Sequence, residues 1–333
     1  MRNILITGGT GFIGSRLALR LVSEGHQVKV YGQENTPAES QNAVELKSKG
    51  IELILGSMLA KSRITQIVKG IDTVYHLAAA QHEANVPDKV FWDVNLEGTK
   101  LLTQVCLKEG IHRFVHGSTI GVYGTALDGV ITEDSPCRPD NIYGETKLAA
   151  EKMLAKYSDG LEIVIIRISE TYGPGDRRLL KLFKGIRKKR FPLIGKGDNI
   201  HHLIYIDDLI DGFINASTSS AAPGECLVLS GKEPLSTIEM MRVIAEVVGQ
   251  DLPPFKVPLM PVEIAAVVLE KTLRPMGIQP LLHRRRMDFF KKSYRFSQEK
   301  MVSLLNFQPR VSFKEGVIKT IRWYRQMNLL RDR

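Results

Sequence analysis

The sequence predicts an α/β protein with a doubly wound parallel sheet, and three observations support this prediction. A glycine-rich segment, residues 7–14, directly follows a short apolar run and precedes a helix-like apolar stretch. Short apolar runs and helical segments then alternate, and beyond residue 170 the chain is interrupted by Pro and Gly, as at residues 173–175. Such βα alternation gives a parallel sheet covered on both faces, with ligands at the carboxyl ends of the strands. We therefore expect a Rossmann-type fold with a smaller, partly interleaved substrate-binding lobe.

Six apolar runs are predicted to be the sheet strands. They are residues 4–6, 28–30, 51–55, 73–77, 114–115 and 163–166. Thr7, His76, Thr119 and Arg167 stand at or near the ends of four of these runs. Because the strands are expected to be parallel, these side chains should meet at one edge of the sheet.

The glycines of residues 7–14 have the spacing of a phosphate-binding turn. Gly8 permits a tight turn, Gly11 lets the backbone approach a pyrophosphate, and Gly14 lets helix and strand pack closely. The free N–H groups at the start of the next helix would attract the anion. A purely structural glycine turn is the alternative, but the strand–turn–helix context favours dinucleotide binding.

Tyr143 and Lys147 are four residues apart in a stretch of good helix formers, one turn apart on the same face. A free phenol has a pKa near ~10 and is a poor base at neutral pH. A cation at ~4 Å in an effective dielectric of ~20 contributes about 4 kcal/mol before desolvation, equivalent to ~3 pKa units. An ordinary exposed helical pair is the alternative. With the glycine-rich segment upstream, the spacing predicts an acid/base tyrosine assisted by a lysine.

Two lobes are expected from this arrangement of motifs. Residues 1–169 are predicted to form the dinucleotide-binding domain, and residues 170–333 mainly the substrate-binding lobe. A segment near residues 203–217 is predicted to return to the first domain.

Length and composition are those of a globular protein with a sizeable core: 333 residues, 43% apolar and 25% charged. Since the first residues already fit a core strand, we expect no signal or transit peptide. The three cysteines are odd in number and lack metal-ligand spacing, which indicates reduced thiols, a cytoplasmic protein and no metal site.

The net charge of +10 is concentrated in two basic clusters, residues 177–190 and residues 284–292. A solvated face, an anionic substrate and an acidic membrane surface are the interpretations that stay open. Nucleic-acid binding is not expected, because no aromatic interleaving or binding module accompanies the charges. No stretch reaches the ~20 apolar residues of a bilayer span. The longest apolar run, residues 264–269, predicts a core or substrate-pocket helix, and peripheral membrane contact is left open.

In the order of its motifs the chain resembles the extended short-chain dehydrogenase/reductase family, which contains sugar-nucleotide epimerases, dehydratases and hydroxysteroid-type dehydrogenases. The motifs are residues 7–14, 75–79, 93–99 and 118–124, Tyr143 with Lys147, Arg167 ahead of residues 172–175, and residues 205–208. The resemblance covers nearly the whole chain and implies an NAD(P)-dependent enzyme. We also expect a homodimer.

The resemblance implies catalytic roles for four residues. Thr119, with Ser118 as the neighbouring candidate, would hydrogen-bond the reacting oxygen while Tyr143 moves the proton. Lys147 would also hold the nicotinamide ribose, and Asn95 would either organise a proton relay or serve as a helix-surface or capping residue. The residues expected at the cofactor are Gly8, Thr10, Gly11, Phe12, Ile13, Gly14, Gln33, Ser57, Met58, Leu77, Ala78, Ala79, Ser118, Tyr143 and Lys147.

The expected adenosine end of the cofactor site lacks the usual charged residues. Relatives that use NAD carry an acidic residue at the end of the second strand, where this chain has Gly32. Gln33 replaces the arginine of some NADP-dependent relatives, and Ser57 replaces an aspartate near the adenine. NAD is favoured as the cofactor, and NADP stays open.

The substrate-binding positions also depart from the best-known members. Thr119 is followed by Ile120 and Gly121 and not by the Asp–Glu pair of dehydratases, so elimination of water is not expected. Glu170 stands where many epimerases have an asparagine that touches the diphosphate, and His201 stands with His202 where many have an arginine.

Cations elsewhere would have to replace that arginine. Arg177, Arg178 and Lys181 follow the turn at residues 173–175 and, with Glu170, are the predicted substrate-binding residues. The leading functional hypothesis is an NAD(P)-dependent oxidoreductase or epimerase of a nucleotide sugar. A hydroxysteroid-type dehydrogenase of a bulky apolar alcohol or ketone and a non-catalytic dinucleotide sensor are the alternatives.

Overall fold

The computed structural model describes residues 1–81, 86–125, 129–157, 159–252, 256–273 and 284–330, without the side chains of residues 284–286. The strands are β1 Asn3–Thr7, β2 Gln27–Gly32, β3 Glu52–Leu55, β4 Thr73–His76, β5 Arg113–Thr119, β6 Glu162–Ile168, β7 Thr171–Tyr172, β8 Leu193–Ile194, β9 Ile200–His201, β10 Ile204–Tyr205, β11 Cys226–Leu229, β12 Leu235–Ser236 and β13 Lys256–Val257. The α-helices are α1 Phe12–Ser23, α2 Pro37–Ser48, α3 Lys61–Val68, α4 Asp88–Phe91, α5 Thr99–Lys108, α6 Ile142–Leu154, α7 Leu180–Arg187, α8 Ile206–Thr218, α9 Thr237–Val247, α10 Leu259–Leu273, α11 Arg284–Lys291, α12 Glu299–Leu305 and α13 Phe313–Gln326. A π-helical turn, Trp92–Gly98, joins α4 to α5.

Seven parallel strands form the main sheet, in the order β11-β6-β5-β4-β1-β2-β3. This order confirms the predicted doubly wound, Rossmann-type fold. The register places Thr7 beside His76 and His76 beside His116. The carboxyl edge of the sheet therefore brings side chains from three neighbouring strands together.

Both faces of the sheet are covered, as its side-chain alternation requires. Ile4 and Ile6 of β1 pack into one hydrophobic cluster with α1 and α8. Leu5, between them, packs into a second cluster with α3 and α5 on the opposite face. A continuous apolar run with period-two packing thus places a fully buried strand at the centre of the sheet.

The chain beyond residue 169 is closely joined to this sheet. Met240 of α9 and Phe313 of α13 belong to the same buried cluster as Ile6. Residues 206–218 form α8 against α1 and β5, and residues 226–229 add β11 beside β6. The division of the chain at residue 169 stays a prediction, and the later half contributes more to the sheet than residues 203–217 alone.

The apolar run at residues 264–269 lies in α10, and the prediction of a core helix is wrong. Ala266 is buried, whereas Met260, Ile264 and Val268 are 71%, 59% and 53% exposed along one face. Spacing by four residues aligns these three side chains on the solvent side. Among the described helices, none combines the length and hydropathy needed to cross a membrane.

Candidate active site

The glycine-rich turn leads from β1 into α1 and forms a cradle that only glycine fits. Gly8 has φ +69°, and a Cβ there would lie 2.6 Å from the Ala78 nitrogen. A Cβ on Gly14 would lie 2.4 Å from the Gly8 carbonyl oxygen. Helix α1 has Gly11 as its N-cap, no capping side chain and no acidic residue in its first turn. The N–H groups at Phe12 and Ile13 thus begin an uncapped helix, which fits the pyrophosphate of a dinucleotide.

Tyr143 lies in the first turn of α6, where the Asn141 side chain caps the helix by accepting from the Gly144 nitrogen at 3.0 Å. The Tyr143 side chain is 8% exposed, and its hydroxyl oxygen accepts a hydrogen bond from Gln81 Nε2 at 2.8 Å. Thr119 ends β5 half-buried, and its Oγ1 accepts from the Gly121 nitrogen at 3.0 Å. Sequence reasoning missed Gln81, whose only signal was its place directly after the motif at residues 75–79.

Lys147 projects inward from α6 and is 1% exposed. Its Nζ donates to His116 Nε2 at 3.0 Å, and burial lowers the pKa of Lys147 to about 7 although Glu151 opposes the change. Burial, reinforced by Lys147, also holds the pKa of His116 well below its usual value. The imidazole is therefore a neutral acceptor. It was not among the predicted site residues.

His76 continues this buried polar group beneath the glycine-rich turn. Its Nδ1 lies 2.6 Å from Thr7 Oγ1, and its Nε2 lies 2.8 Å from Thr99 Oγ1. Burial, followed by the charge of Lys147, lowers the pKa of His76 to about 3. A neutral His76 thus ties β1, β4 and α5 together at the edge where the cofactor is expected.

Arg167 forms a buried ion pair with Glu151, and Ser118 is hydrogen-bonded to the same carboxylate. Ser118 Oγ donates to the Glu151 carboxylate, and Arg167 Nη2 donates to the same carboxylate at 2.8 Å. Arg167 also donates to Tyr123 Oη at 2.8 Å. Because the guanidinium N–H groups of Arg167 donate to partners within the fold, Arg167 stabilises the edge of the sheet and does not present its charge to a substrate.

Asn95 lies in the π-helical turn and is fully buried. Its Oδ1 accepts from the Ala80 nitrogen at 2.8 Å, and its Nδ2 donates to the Ala80 oxygen at 3.2 Å and to Thr146 Oγ1 at 3.0 Å. The side chain thus fixes the segment before Gln81 against α6. These contacts favour a positioning role over the predicted surface or capping role, and the relay role stays a prediction.

At the adenosine end, Tyr31 Oη donates to the Ser57 carbonyl at 2.8 Å, and Ser57 Oγ accepts from the Leu59 nitrogen at 3.2 Å. Met58 is buried in the cluster below this turn. On the other side of the glycine-rich turn, the Leu77 nitrogen donates to the Thr7 carbonyl at 3.0 Å, which places Leu77, Ala78 and Ala79 directly beside it.

Glu170 and His201 form a half-buried ion pair on the substrate side. His201 Nδ1 donates to Glu170 Oε2 at 2.8 Å, and His201 Nε2 lies 3.0 Å from Thr237 Oγ1. Thr237 donates its own proton to Asn199 Oδ1 at 2.7 Å, so it accepts from His201. With a carboxylate at Nδ1 and a hydroxyl at Nε2, the imidazole has an acceptor for each N–H of a protonated histidine, and Nε2 also lies 3.2 Å from Asn199 Nδ2.

The pKa values of this pair agree with that assignment. Burial alone would raise the pKa of Glu170 and lower the pKa of His201, but their mutual attraction outweighs it. The net pKa of the carboxyl is lowered and that of the imidazole is raised. His202 differs: its ring nitrogens bond the Gly231 carbonyl and the Phe296 nitrogen, and burial lowers its pKa to about 4.

The predicted substrate cations lie apart from this pair. Arg178 bonds the Asp176 carboxylate and the Thr171 carbonyl, Arg177 reaches Gln41 of α2, and Lys181 is exposed on α7. A cavity of about 880 Å³ instead carries three lysines beside apolar side chains. Its lining includes Lys196, Lys256, Lys291, Phe290, Leu259 and Asn199. The basic residues 284–286 lie at the start of α11, but their side chains are outside the described part of the chain.

Comparisons with known proteins identify similar sequences and structures. Residues 4–228 match the NAD dependent epimerase/dehydratase family. The chain is 27% identical over 338 residues to dTDP-glucose 4,6-dehydratase of an Actinoplanes species, covering 97% of each chain. It is 27% identical over 345 residues to 3beta-hydroxysteroid-dehydrogenase/decarboxylase isoform 2 of Arabidopsis thaliana, covering 95% of this chain and 61% of that protein. The solved UDP-glucuronic acid 4-epimerase from Bacillus cereus, in complex with UDP-glucuronic acid and NAD, is 26% identical with a TM-score of 0.78 and covers 98% of this chain and 99% of that one.

Proposed function

Because the chain belongs to the NAD dependent epimerase/dehydratase family, and is thus an enzyme of the extended short-chain dehydrogenase/reductase type, we propose that it oxidises a hydroxyl-bearing carbon of a nucleotide sugar. In this proposal Tyr143 is the acid and base. The observation that carries it is the Tyr143 hydroxyl, enclosed at the carboxyl edge of the sheet with an amide donor 2.8 Å from its oxygen. The family match over residues 4–228 confirms the resemblance found in the sequence, at the level of the family.

Removing a hydride and a proton from a secondary alcohol leaves a ketone, and NAD supplies the hydride acceptor when it is bound. The phenolate oxygen of Tyr143 would take the proton from the substrate hydroxyl. Thr119 Oγ1 would donate to the same substrate oxygen, and Gln81 Nε2 would stabilise the phenolate by its hydrogen bond. A protonated Lys147 would add the positive charge that favours the ionised phenol.

The cavity is lined by three lysines and one aspartate, Asp198, and this excess of positive charge supports an anionic substrate. Lys196 and Lys256 are exposed at its rim, and Lys291 pairs with Glu263 at 2.6 Å. Phe290 and Leu259 offer apolar surface beside them. A nucleoside diphosphate combines a ring system with negative charge, so it suits such a lining. We assign the substrate diphosphate to these lysines and no longer to Arg178.

The hydroxysteroid-type alternative has its own supporting observations. The Glu170 carboxylate occupies the half-buried pair with His201, at the position where many epimerases hold a diphosphate. The exposed apolar face of α10 adjoins the cavity through Leu259. A bulky apolar ketone carries no diphosphate that the Glu170 carboxylate would repel, and it could contact the apolar face of α10. Elimination of water is disfavoured because Ile120 and Gly121 follow Thr119.

Ligand-dependent melting separates the two functions. Ligands that bind the native state raise the Tm in proportion to ln(1 + [L]/Kd). With NAD present, UDP-, GDP- or dTDP-sugars should raise the Tm further, and apolar alcohols and ketones should not. The reverse result would replace the nucleotide-sugar proposal by the hydroxysteroid-type one.

Tyr143→Phe tests the chemistry independently of the substrate. It should lower turnover by ~100-fold or more, because general acid–base catalysis contributes at least that much. Its affinity for NAD should stay near the wild-type value, whereas Lys147→Met should reduce both turnover and affinity. A Tyr143→Phe enzyme that keeps more than about a tenth of the wild-type rate would show that another group moves the proton.

A further inference from the structure

The end of β2 has neither the acid that selects NAD nor room for one. A Cβ on Gly32 would lie 2.6 Å from Thr10 Oγ1 and 3.2 Å from Thr10 Cγ2. Thr10 is fixed there, since its Oγ1 donates to the Gln33 carbonyl at 2.7 Å and its own carbonyl accepts from Asn42 Nδ2 at 2.8 Å. A carboxylate at this strand end is what rejects a 2'-phosphate in NAD-specific proteins. This chain therefore has no such barrier.

A cation reaches this region from the other half of the molecule. The turn containing Gly175 packs on the Phe12 ring, since a Cβ at Gly175 would lie 2.8 Å from Phe12 Cδ2. Two residues later, Arg177 extends to α2 and donates from Nη2 to Gln41 Oε1 at 2.6 Å. Arg177 is exposed, and no carboxylate of the described residues lies within 4.0 Å of its guanidinium. Its partner is neutral, so its charge is not compensated.

The acidic side chains of the neighbouring loop have other partners. Glu39 belongs to the capping box of α2 and accepts from the Asn35 and Thr36 nitrogens, both at 2.9 Å. Glu34 lies 3.8 Å from Lys47. Gln33, the residue that follows the end of β2, accepts from Asn35 Nδ2 at 2.9 Å. Amide side chains thus border the expected place of the adenosine ribose at the end of β2, and Arg177 reaches the helix that follows, α2, without a carboxylate partner among the described residues.

We propose that Arg177 binds the 2'-phosphate of NADP, so that the protein accepts NADP as well as NAD. The guanidinium presents paired N–H donors that match a phosphate. It would come from the segment between β7 and α7 and not from the strand end, where dinucleotide-binding proteins usually carry it. The inference rests on dinucleotide binding at the glycine-rich turn, as in the proposed function, and it moves Arg177 from the substrate to the cofactor.

Calorimetric titration tests the proposal without measuring turnover. Wild type, Arg177→Gln and a matched control at the exposed Lys184 of α7, Lys184→Gln, are titrated with NAD and NADP, and with adenosine 2',5'-bisphosphate and 5'-AMP as probes of the adenosine end alone. Arg177→Gln should weaken NADP and the bisphosphate at least tenfold and leave NAD and 5'-AMP within about twofold, because only the ligands with a 2'-phosphate lose charge-assisted hydrogen bonds. Arg177→Lys should restore part of the loss, and Lys184→Gln should match wild type.

Three results would overturn the proposal. Equal losses for NAD and NADP would make Arg177 a structural contact between the two halves of the chain. No change in NADP affinity, or a wild-type preference for NAD above about 1,000-fold (~4 kcal/mol), would show that another arrangement governs the 2' position. Failure of the wild type to bind either dinucleotide would instead contradict the proposed function itself.

Discussion

Gln81 shows how a single amide can set the reactivity of a tyrosine. Its Nε2 donates to the Tyr143 oxygen at 2.8 Å, and a donor at that distance favours the ionised phenol. Gln81→Leu should lower kcat about fivefold, since one hydrogen bond contributes about 1 kcal/mol, and should leave NAD affinity unchanged. Gln81→Glu should lower kcat further, because a carboxylate beside the oxygen raises the pKa of the phenol.

The pH dependence of kcat separates this role from a purely structural one. In Gln81→Leu the acidic limb of the profile should move to higher pH, because the phenol loses a stabilising donor, its pKa rises, and the phenolate that accepts the proton forms only at higher pH. If the pH profile of kcat and the melting temperature of Gln81→Leu both match those of the wild type, Gln81 does not set the pKa of Tyr143, and any loss of kcat would come from a lost contact with substrate.

Position 32 yields a second prediction at this scale. Gly32→Asp alone should destabilise the fold by about 1–3 kcal/mol, because its Cβ must displace the Thr10 side chain. The double variant Thr10→Ala, Gly32→Asp removes that clash and should weaken NADP binding tenfold or more relative to NAD. Urea unfolding of both variants and of Thr10→Ala alone, with titration of the two cofactors, checks this. A folded single variant with strong NAD selectivity would contradict it.

The tight turn predicted at Gly8 and the close packing predicted at Gly14 agree with the structure, because the motif fixes the local backbone there, whereas the catalytic role of Tyr143 stays a prediction. Residue-level prediction failed where a side chain's partner comes from a distant element. The Glu151 carboxylate that bonds Ser118 and Arg167 lies on α6. The local sequence around β5 and β6 does not predict this contact. The same holds for Arg177, whose contact with Gln41 spans 136 positions.

Between elements, the Glu170–His201 pair links the segment after β6 to β9 and should make stability depend on pH. The lowered pKa of Glu170 stabilises the fold above the ordinary carboxyl pKa of about 4.3, and this is lost as pH falls through the folded pKa. The raised pKa of His201 stabilises it below the ordinary imidazole pKa of about 6.5, and this is lost as pH rises through the folded pKa. The pair should contribute most between these two values.

A double-mutant cycle with Glu170→Gln and His201→Gln measures this coupling. The coupling free energy should be favourable at pH 5.5 and should decline by pH 9, with Arg178 left in place because it also acts on Glu170. A coupling that is the same at both pH values would mean that a neutral hydrogen bond, and not the ion pair, joins the two elements.

Six of the seven strands of the sheet were predicted from the sequence in type and approximate position, and β11, residues 226–229, was not. The run at residues 28–30 lies within β2, Gln27–Gly32. Its two valines are β-branched, and β-branched residues favour a strand in a buried core. Helix α10 was not predictable as a surface helix. Its apolar composition is that of a buried element, and only the tertiary arrangement determines which face is covered.

For the whole molecule, the shared core predicts one unfolding transition. A single hydrophobic cluster contains Ile6 and Val30 of the sheet together with Met240 and Phe313 of the later half. If one half unfolds, the apolar side chains that the other half contributes to this cluster become exposed to water. We expect calorimetric and van't Hoff enthalpies to agree, and near- and far-UV dichroism to change together. Two separated transitions would support independent lobes divided near residue 169.

The predicted homodimer can be examined in the same measurements. A Tm that rises with protein concentration would support it, because association stabilises only the folded chain.

The position of β11 has a consequence for biosynthesis. The sheet is completed by residues 226–229, which pair with β6 long after β6 has been made. At ~5–20 residues per second the ribosome needs roughly 3–11 s for the segment between them. During that interval the nascent chain carries an unpaired strand edge, which is a template for wrong pairing. A chain that stops before Cys226 should therefore aggregate during translation, although every residue of its glycine-rich turn and of α6 is already present.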